Sequence, residues 1–197
     1  MMDGMRMEPL GEDAWIVRDL PGEAWRYVAS AEALPGVIEA AACFDSLGLW
    51  IEESFNPVLL DHLKAAEIDE PRTIVVPTIY DGPDLGEVAR LLGLSEEGVV
   101  ALHASESYRC GAVGFQPGFP YLRPLPAPLD ALPRRTSPRP RVPAGSVAIA
   151  AGMTGIYPGE SPGGWWLIGR TELPLVSGDR TLFRAGDIAR FVPITGR

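Results

Sequence analysis

At 197 residues the chain is long enough for one large domain or two small ones, and its 46% hydrophobic residues suffice for packed cores. A formal net charge of -9 argues against general binding to nucleic acid or to an anionic membrane, because most of the surface repels phosphate. Cys43 and Cys110 lie far apart without CxxC spacing or histidine neighbours, which excludes the usual zinc and redox signatures and leaves buried, reduced thiols as the expectation.

The opening MMDGMRMEPLGED has no apolar core of signal-peptide length, and no later run reaches the roughly 20 residues that span a bilayer, so a cytoplasmic protein is expected. Met5 to Leu10 and Ala14 to Asp19 read as strands, Glu23 to Leu34 as a helix, and Val37 to Phe44 and Leu47 to Glu52 as two more strands. Asn56 is placed to cap a helix from Pro57 to Glu67, with proline at the favoured first position. These elements make a small α+β domain over residues 1–70. A polar hinge, Ile68-Asp69-Glu70-Pro71, separates it from a second domain, 71–197.

The second domain opens with the β-branched run Thr73 to Ile79, a strand whose Pro77 belongs at a sheet edge. Asp84 to Gly93 and Ser95 to Ala104 read as short helices, each opened by a good N-cap residue. Beyond Tyr108 the helical period disappears. Strands are expected at Val147 to Ala151, Trp165 to Thr171, Thr181 to Phe183 and Ile188 to Val192, divided by proline and glycine turns, and this spacing points to a mainly β barrel or sandwich.

Chemistry concentrates between Gly114 and Arg170. Arg123, Arg134, Arg135, Arg139, Arg141 and Arg170 face only Asp130 and Glu160 there, a basic island in an acidic chain. Arg139 and Arg141 alternate across Pro140 and can point the same way, and guanidinium forks hold carboxylate or phosphate; a solvated loop offsetting the acidic surface is the alternative. In Gln116-Pro117-Gly118-Phe119 the proline and glycine suit a type II turn, and Pro162-Gly163 offers the same geometry. Such turns can present Phe119, Tyr121 and Trp165 beside a cleft, or they are barrel corners over a satellite core.

His103, near the end of a predicted helix, is a candidate for proton transfer or anion binding, since the helix dipole favours its protonated form there; a packed histidine at a domain junction is the alternative. His62 lies on a charged helix face and reads as surface. Ser146, Thr154 and Tyr157 surround glycines that permit close approach to a ligand. No GxSxG, Walker A, HExxH or GxGxxG pattern is present, and Lys64 is the only lysine, so ATP chemistry needs an unconventional site completed by another chain.

The motifs LHASESY, GFQPGFPYL, PRR, VPAGSVAIA, TGIYP, SPGGW and LIGRT, with YDGPDL upstream, resemble the KipI and allophanate hydrolase subunit 1 family, to which the B subunit (PxpB) of prokaryotic 5-oxoprolinase belongs. The resemblance implies an α+β N-terminal domain followed by a cyclophilin-like β-barrel. It also implies a cytoplasmic component of an ATP-dependent 5-oxoprolinase or related amidohydrolase. ATP, with magnesium, would sit in a site shared with a partner, and the partners would be the C subunit (allophanate hydrolase subunit 2) and a LamB/YcsF-type A subunit.

In that reading His103 and Arg141 are catalytic. Phe119, Tyr121, Arg139, Ser146, Thr154, Tyr157, Trp165 and Arg170 bind substrate or phosphate. Met153 stands where the family usually carries glutamine, which removes an amide from the expected pocket. The competing reading is a KipI-like inhibitor that binds a sensor histidine kinase, and an accessory role in urea or allophanate metabolism ranks third.

Overall fold

A computed structural model describes residues 5–67 and 71–196, and the chain divides into two compact units, Met1–Pro71 and Arg72–Arg197. Residues 68–70 of the expected hinge lie outside the described residues.

The first unit holds β1 (Arg6–Pro9), β2 (Ala14–Arg18), α1 (Val28–Glu32), β3 (Val37–Cys43) and β4 (Ser46–Ile51), with the strands in one antiparallel sheet ordered β1-β2-β4-β3. Val17, Leu47 and Leu49 from the sheet bury against Ala24, Tyr27 and Ala31, with Leu60 and Leu63 closing the core. The helix expected from Glu23 is instead a 3-10 turn, Ala24–Tyr27, followed by the short α1.

The helix expected from Pro57 to Glu67 is also shorter, a 3-10 turn over Pro57–His62 that Asn56 caps through Val58 N–H. A tertiary tie stops it: Ala66 N–H donates to the Arg26 carbonyl at 2.7 Å, and the Arg26 guanidinium donates to the Ala66 carbonyl at 2.8 Å. These bonds draw the 64–67 backbone away from helical pairing. His62 is exposed. Cys43 is exposed as well, against the expectation of burial, whereas Cys110 is buried and its thiol is pushed up to about 12 by desolvation.

The second unit begins with β5 (Thr73–Thr78), α2 (Leu85–Leu92), α3 (Glu96–Ser105), β6 (Ser107–Val113) and β7 (Pro120–Arg123). It continues through β8 (Arg139–Val142), β9 (Ser146–Ala150), β10 (Met153–Ile156), β11 (Ser161–Gly163) and β12 (Trp166–Arg170) to β13 (Val176–Ser177), β14 (Arg180–Thr181) and β15 (Ile188–Pro193). Seven strands form one sheet, β12-β9-β10-β7-β6-β15-β5, antiparallel except for the β15/β5 pair. β5, with its Pro77, ends that order. The strand expected at Thr181 to Phe183 is only the two-residue β14, paired with β13.

The sheet curls until its ends meet. Ile79 and Arg170 exchange backbone hydrogen bonds of 2.9 and 2.8 Å, and Gly82 N–H donates to the Ile168 carbonyl at 3.2 Å. A Cβ on Gly82 would stand 2.3 Å from the Leu167 carbonyl oxygen, so only glycine allows this closure.

Alternation along the strands divides the interior into two cores. Val147, Ile149, Ile156, Trp166, Ile168 and Leu122 join the large core with Val88 and Val99 of the helices. Ala148, Ala150, Tyr157, Trp165, Leu167 and Phe119 form a smaller core on the opposite face. β9 is therefore buried on both sides, and its alanines leave room for the aromatic rings.

Candidate functional site

The smaller core opens into a cleft of about 200 Å³, lined by Phe115, Phe119, Tyr121, Arg134, Arg135, Tyr157, Trp165 and the Pro162–Gly164 segment. The turn expected at Gln116 to Phe119 forms, with Gly118 at φ +84° and Phe119 N–H donating to the Gln116 carbonyl at 3.1 Å. Phe119 then drops into the core and packs edge-on against Tyr121, Tyr157 and Trp165 at centroid distances of 5.0, 5.1 and 5.6 Å. Gly155 makes this possible, because a Cβ there would meet the Phe119 ring at 2.7 Å.

Pro162-Gly163 is not the second type II turn that the sequence suggests. Gly163 belongs to β11, paired with β8, and glycine is needed because the Tyr157 hydroxyl occupies the space of a side chain.

A buried carboxylate organises the basic rim. Asp84 accepts from Arg139 Nη2 at 2.6 Å, from Arg135 Nη1 at 2.9 Å and from the Leu167 N–H at 2.7 Å. It is the residue before α2, yet its side chain makes no helix cap and serves these distant partners instead. Arg135 also lies over the Trp166 ring at 4.8 Å, and its N–H donates to the Gly164 carbonyl at 2.8 Å. With these anchors fixing its neighbour, exposed Arg134 stands on the cleft lining. Burial raises the Tyr157 phenol above its ordinary value, opposed by the positive charges of Arg134 and Arg139, so the phenol stays protonated at neutral pH.

The expected site residues do not all converge here. Phe119, Tyr121, Tyr157 and Trp165 line the cleft; the remaining six candidates are placed differently. His103 is fully buried on the large-core face against Phe191, 4.4 Å away. Its expected protonation is corrected: desolvation pushes its pKa down to about 3, overriding the helix dipole.

The Thr154 hydroxyl donates to the Ala148 carbonyl at 3.1 Å and therefore accepts from His103 Nε2–H at 2.8 Å, leaving Nδ1 to accept from the Tyr80 hydroxyl at 2.7 Å. This chain satisfies a neutral imidazole. With no exposed surface, His103 and Thr154 offer no atom to a ligand in this conformation.

Ser146 is buried and donates to the Pro143 carbonyl at 2.7 Å. Arg139 and Arg141 do not form one fork: Arg139 is committed to Asp84, whereas Arg141 is largely exposed and only 3.9 Å from Glu160. Arg170 pairs with Asp81 at 3.0 Å and borders two broader furrows of about 540 and 470 Å³. Those furrows are larger, but neither gathers several aromatic rings around a cation, and the smaller cleft is the better candidate.

Residues 5–183 match the model of the carboxyltransferase domain, subdomain C and D. The chain belongs to this carboxyltransferase-domain family. It is 43% identical over 183 residues to the 5-oxoprolinase B subunit of Escherichia coli O157:H7, covering 86% of this chain and 84% of that one. The 5-oxoprolinase B subunit of Bacillus subtilis is 38% identical over 224 residues, covering 96% and 93%. The solved structure of TTHA0988 superposes with a TM-score of 0.80 at 37% identity, covering 93% of this chain and 40% of that longer one.

Within this carboxyltransferase-domain chain, Asp84, Arg134 and Arg135 are the site components that the expected set lacks. Asp84 sits in the YDGPDL motif and both arginines in PRR, so the motifs mark them although local pattern assigns them no contact.

Proposed function

We propose that this chain is the B subunit of an ATP-dependent 5-oxoprolinase, the enzyme that opens the lactam of 5-oxoproline to glutamate. The observation that carries this reading is the 43% identity to a 5-oxoprolinase B subunit, spread over most of both chains. Amide hydrolysis in an unstrained ring is slow, which gives the coupling to ATP its purpose. The second unit is read as the cyclophilin-like barrel and the first, residues 1–70, as its α+β companion. Work in the cytoplasm fits this role, and no helix among the described residues is long and apolar enough to cross a membrane.

By themselves the residues of this chain do not fit ATP with magnesium. Among the described residues there is no group of three or more His, Cys, Asp or Glu side chains placed to hold a metal, and Arg135 and Arg139 already serve Asp84. The nucleotide site is therefore proposed to be completed by a C subunit, the allophanate hydrolase subunit 2 homologue, with a LamB/YcsF-type A subunit finishing ring opening. Exposed Arg141 and half-exposed Arg170 are the cations of the expected set that such a partner can still enlist.

The experiment is co-expression of this chain with a tagged C subunit, followed by an ATPase assay. Co-purification and ATP hydrolysis stimulated by 5-oxoproline are expected. Recovery of both proteins as separate species, with no stimulation, contradicts the proposal.

A further inference from the structure

The cleft restricts its occupant in three ways. Its volume of about 200 Å³ is below the roughly 300 Å³ at which sites for drug-sized ligands begin, so it suits a single small ring. Tyr121 and Trp165, 5.9 Å apart, join Phe119 in an apolar aromatic wall, which favours a flat ring over a branched or strongly hydrated ligand.

Charge supplies the third restriction. Arg135 and Arg139 are bound to Asp84, whereas Arg134 makes no ion pair among the described residues and stands on the lining. One available guanidinium matches one carboxylate.

We infer that this cleft binds a small ring acid, its carboxylate on Arg134 and its ring against Tyr121 and Trp165. Identification of that acid as 5-oxoproline rests on the 5-oxoprolinase reading, and it places lactam recognition on this chain, apart from the nucleotide. A free triphosphate, with several negative charges, mismatches the single available cation.

The test uses the chain assembled with its partner subunits. Arg134→Ala is expected to raise KM for 5-oxoproline at least about tenfold, the effect of losing a charge-assisted hydrogen bond, while KM for ATP stays unchanged. Arg180→Ala, the loss of an exposed arginine outside the cleft, is the control and is expected to change neither. An unaltered KM for 5-oxoproline in an active Arg134→Ala complex overturns the inference.

If the complex turns over no 5-oxoproline, the enzyme reading fails and the cleft is judged by ligand-observed NMR. Saturation transfer from the protein to 5-oxoproline or pyrrole-2-carboxylate, lost in Arg134→Ala and weaker for 2-pyrrolidinone, supports a ring-acid site. No transfer to either acid, or transfer unchanged by Arg134→Ala, refutes it.

Discussion

The hydroxyl oxygen of Tyr157 lies 2.3 Å from the point where a Cβ on Gly163 would stand. One wall of the cleft is thus set by a side chain packed into the place of a missing one. Gly163→Ala must displace the buried phenol or push β11 away from β8, and overpacking of this kind costs about 1–3 kcal/mol. Chemical denaturation is expected to show that loss, and a Tyr157→Phe background, which removes the clashing oxygen, is expected to recover part of it.

Asp84 carries a heavier load. Removing one partner from a buried ion pair costs about 3–5 kcal/mol, because the remaining charges stay desolvated without compensation. Asp84→Ala leaves Arg135, Arg139 and the Leu167 N–H without their shared acceptor. The expected outcome is a fall in stability of that order, against less than about 1 kcal/mol for Glu160→Ala, whose contact with Arg141 is solvent-exposed.

The His103 network makes stability depend on pH. Folding lowers the imidazole pKa from 6.5 to about 3, so between those values the unfolded chain binds a proton that the folded chain refuses. The contribution is complete above pH 6.5 and is lost progressively as pH falls towards 3, up to about 5 kcal/mol in all. His103→Gln, which does not titrate, is expected to flatten the fall in melting temperature between pH 6.5 and 4 relative to wild type. An identical slope in both proteins contradicts a buried neutral imidazole.

Sequence pattern located what depends on near neighbours. The Thr73 to Ile79 strand, the Ser95 cap and the Gln116 to Phe119 turn each form within a residue or so of where local chemistry puts them. β7, β8, β10 and β11 lie outside the strands expected from sequence, in segments that carry Pro120, Pro140, Gly155 and Pro162, and only the last of these was read as a turn. In the structure Pro140 and Pro162 sit in a two-stranded pair, and Gly155 makes room for Phe119.

Phe119 was legible because the Gln116 to Phe119 turn carries it, whereas Trp165 follows strand β11 and not the expected turn. The role of Asp84 was not legible, since its arginines lie 51 and 55 residues away. His103 showed its helix position but not its burial, which reversed the expected charge.

Membership of a 5-oxoprolinase is decided by glutamate formation from 5-oxoproline and ATP by the reconstituted subunits, measured with and without this chain. Glutamate is predicted in proportion to ATP consumed, abolished when this chain is omitted and restored when it is added back. Glutamate formed equally well without it, or none formed by the complete assembly, would contradict that membership.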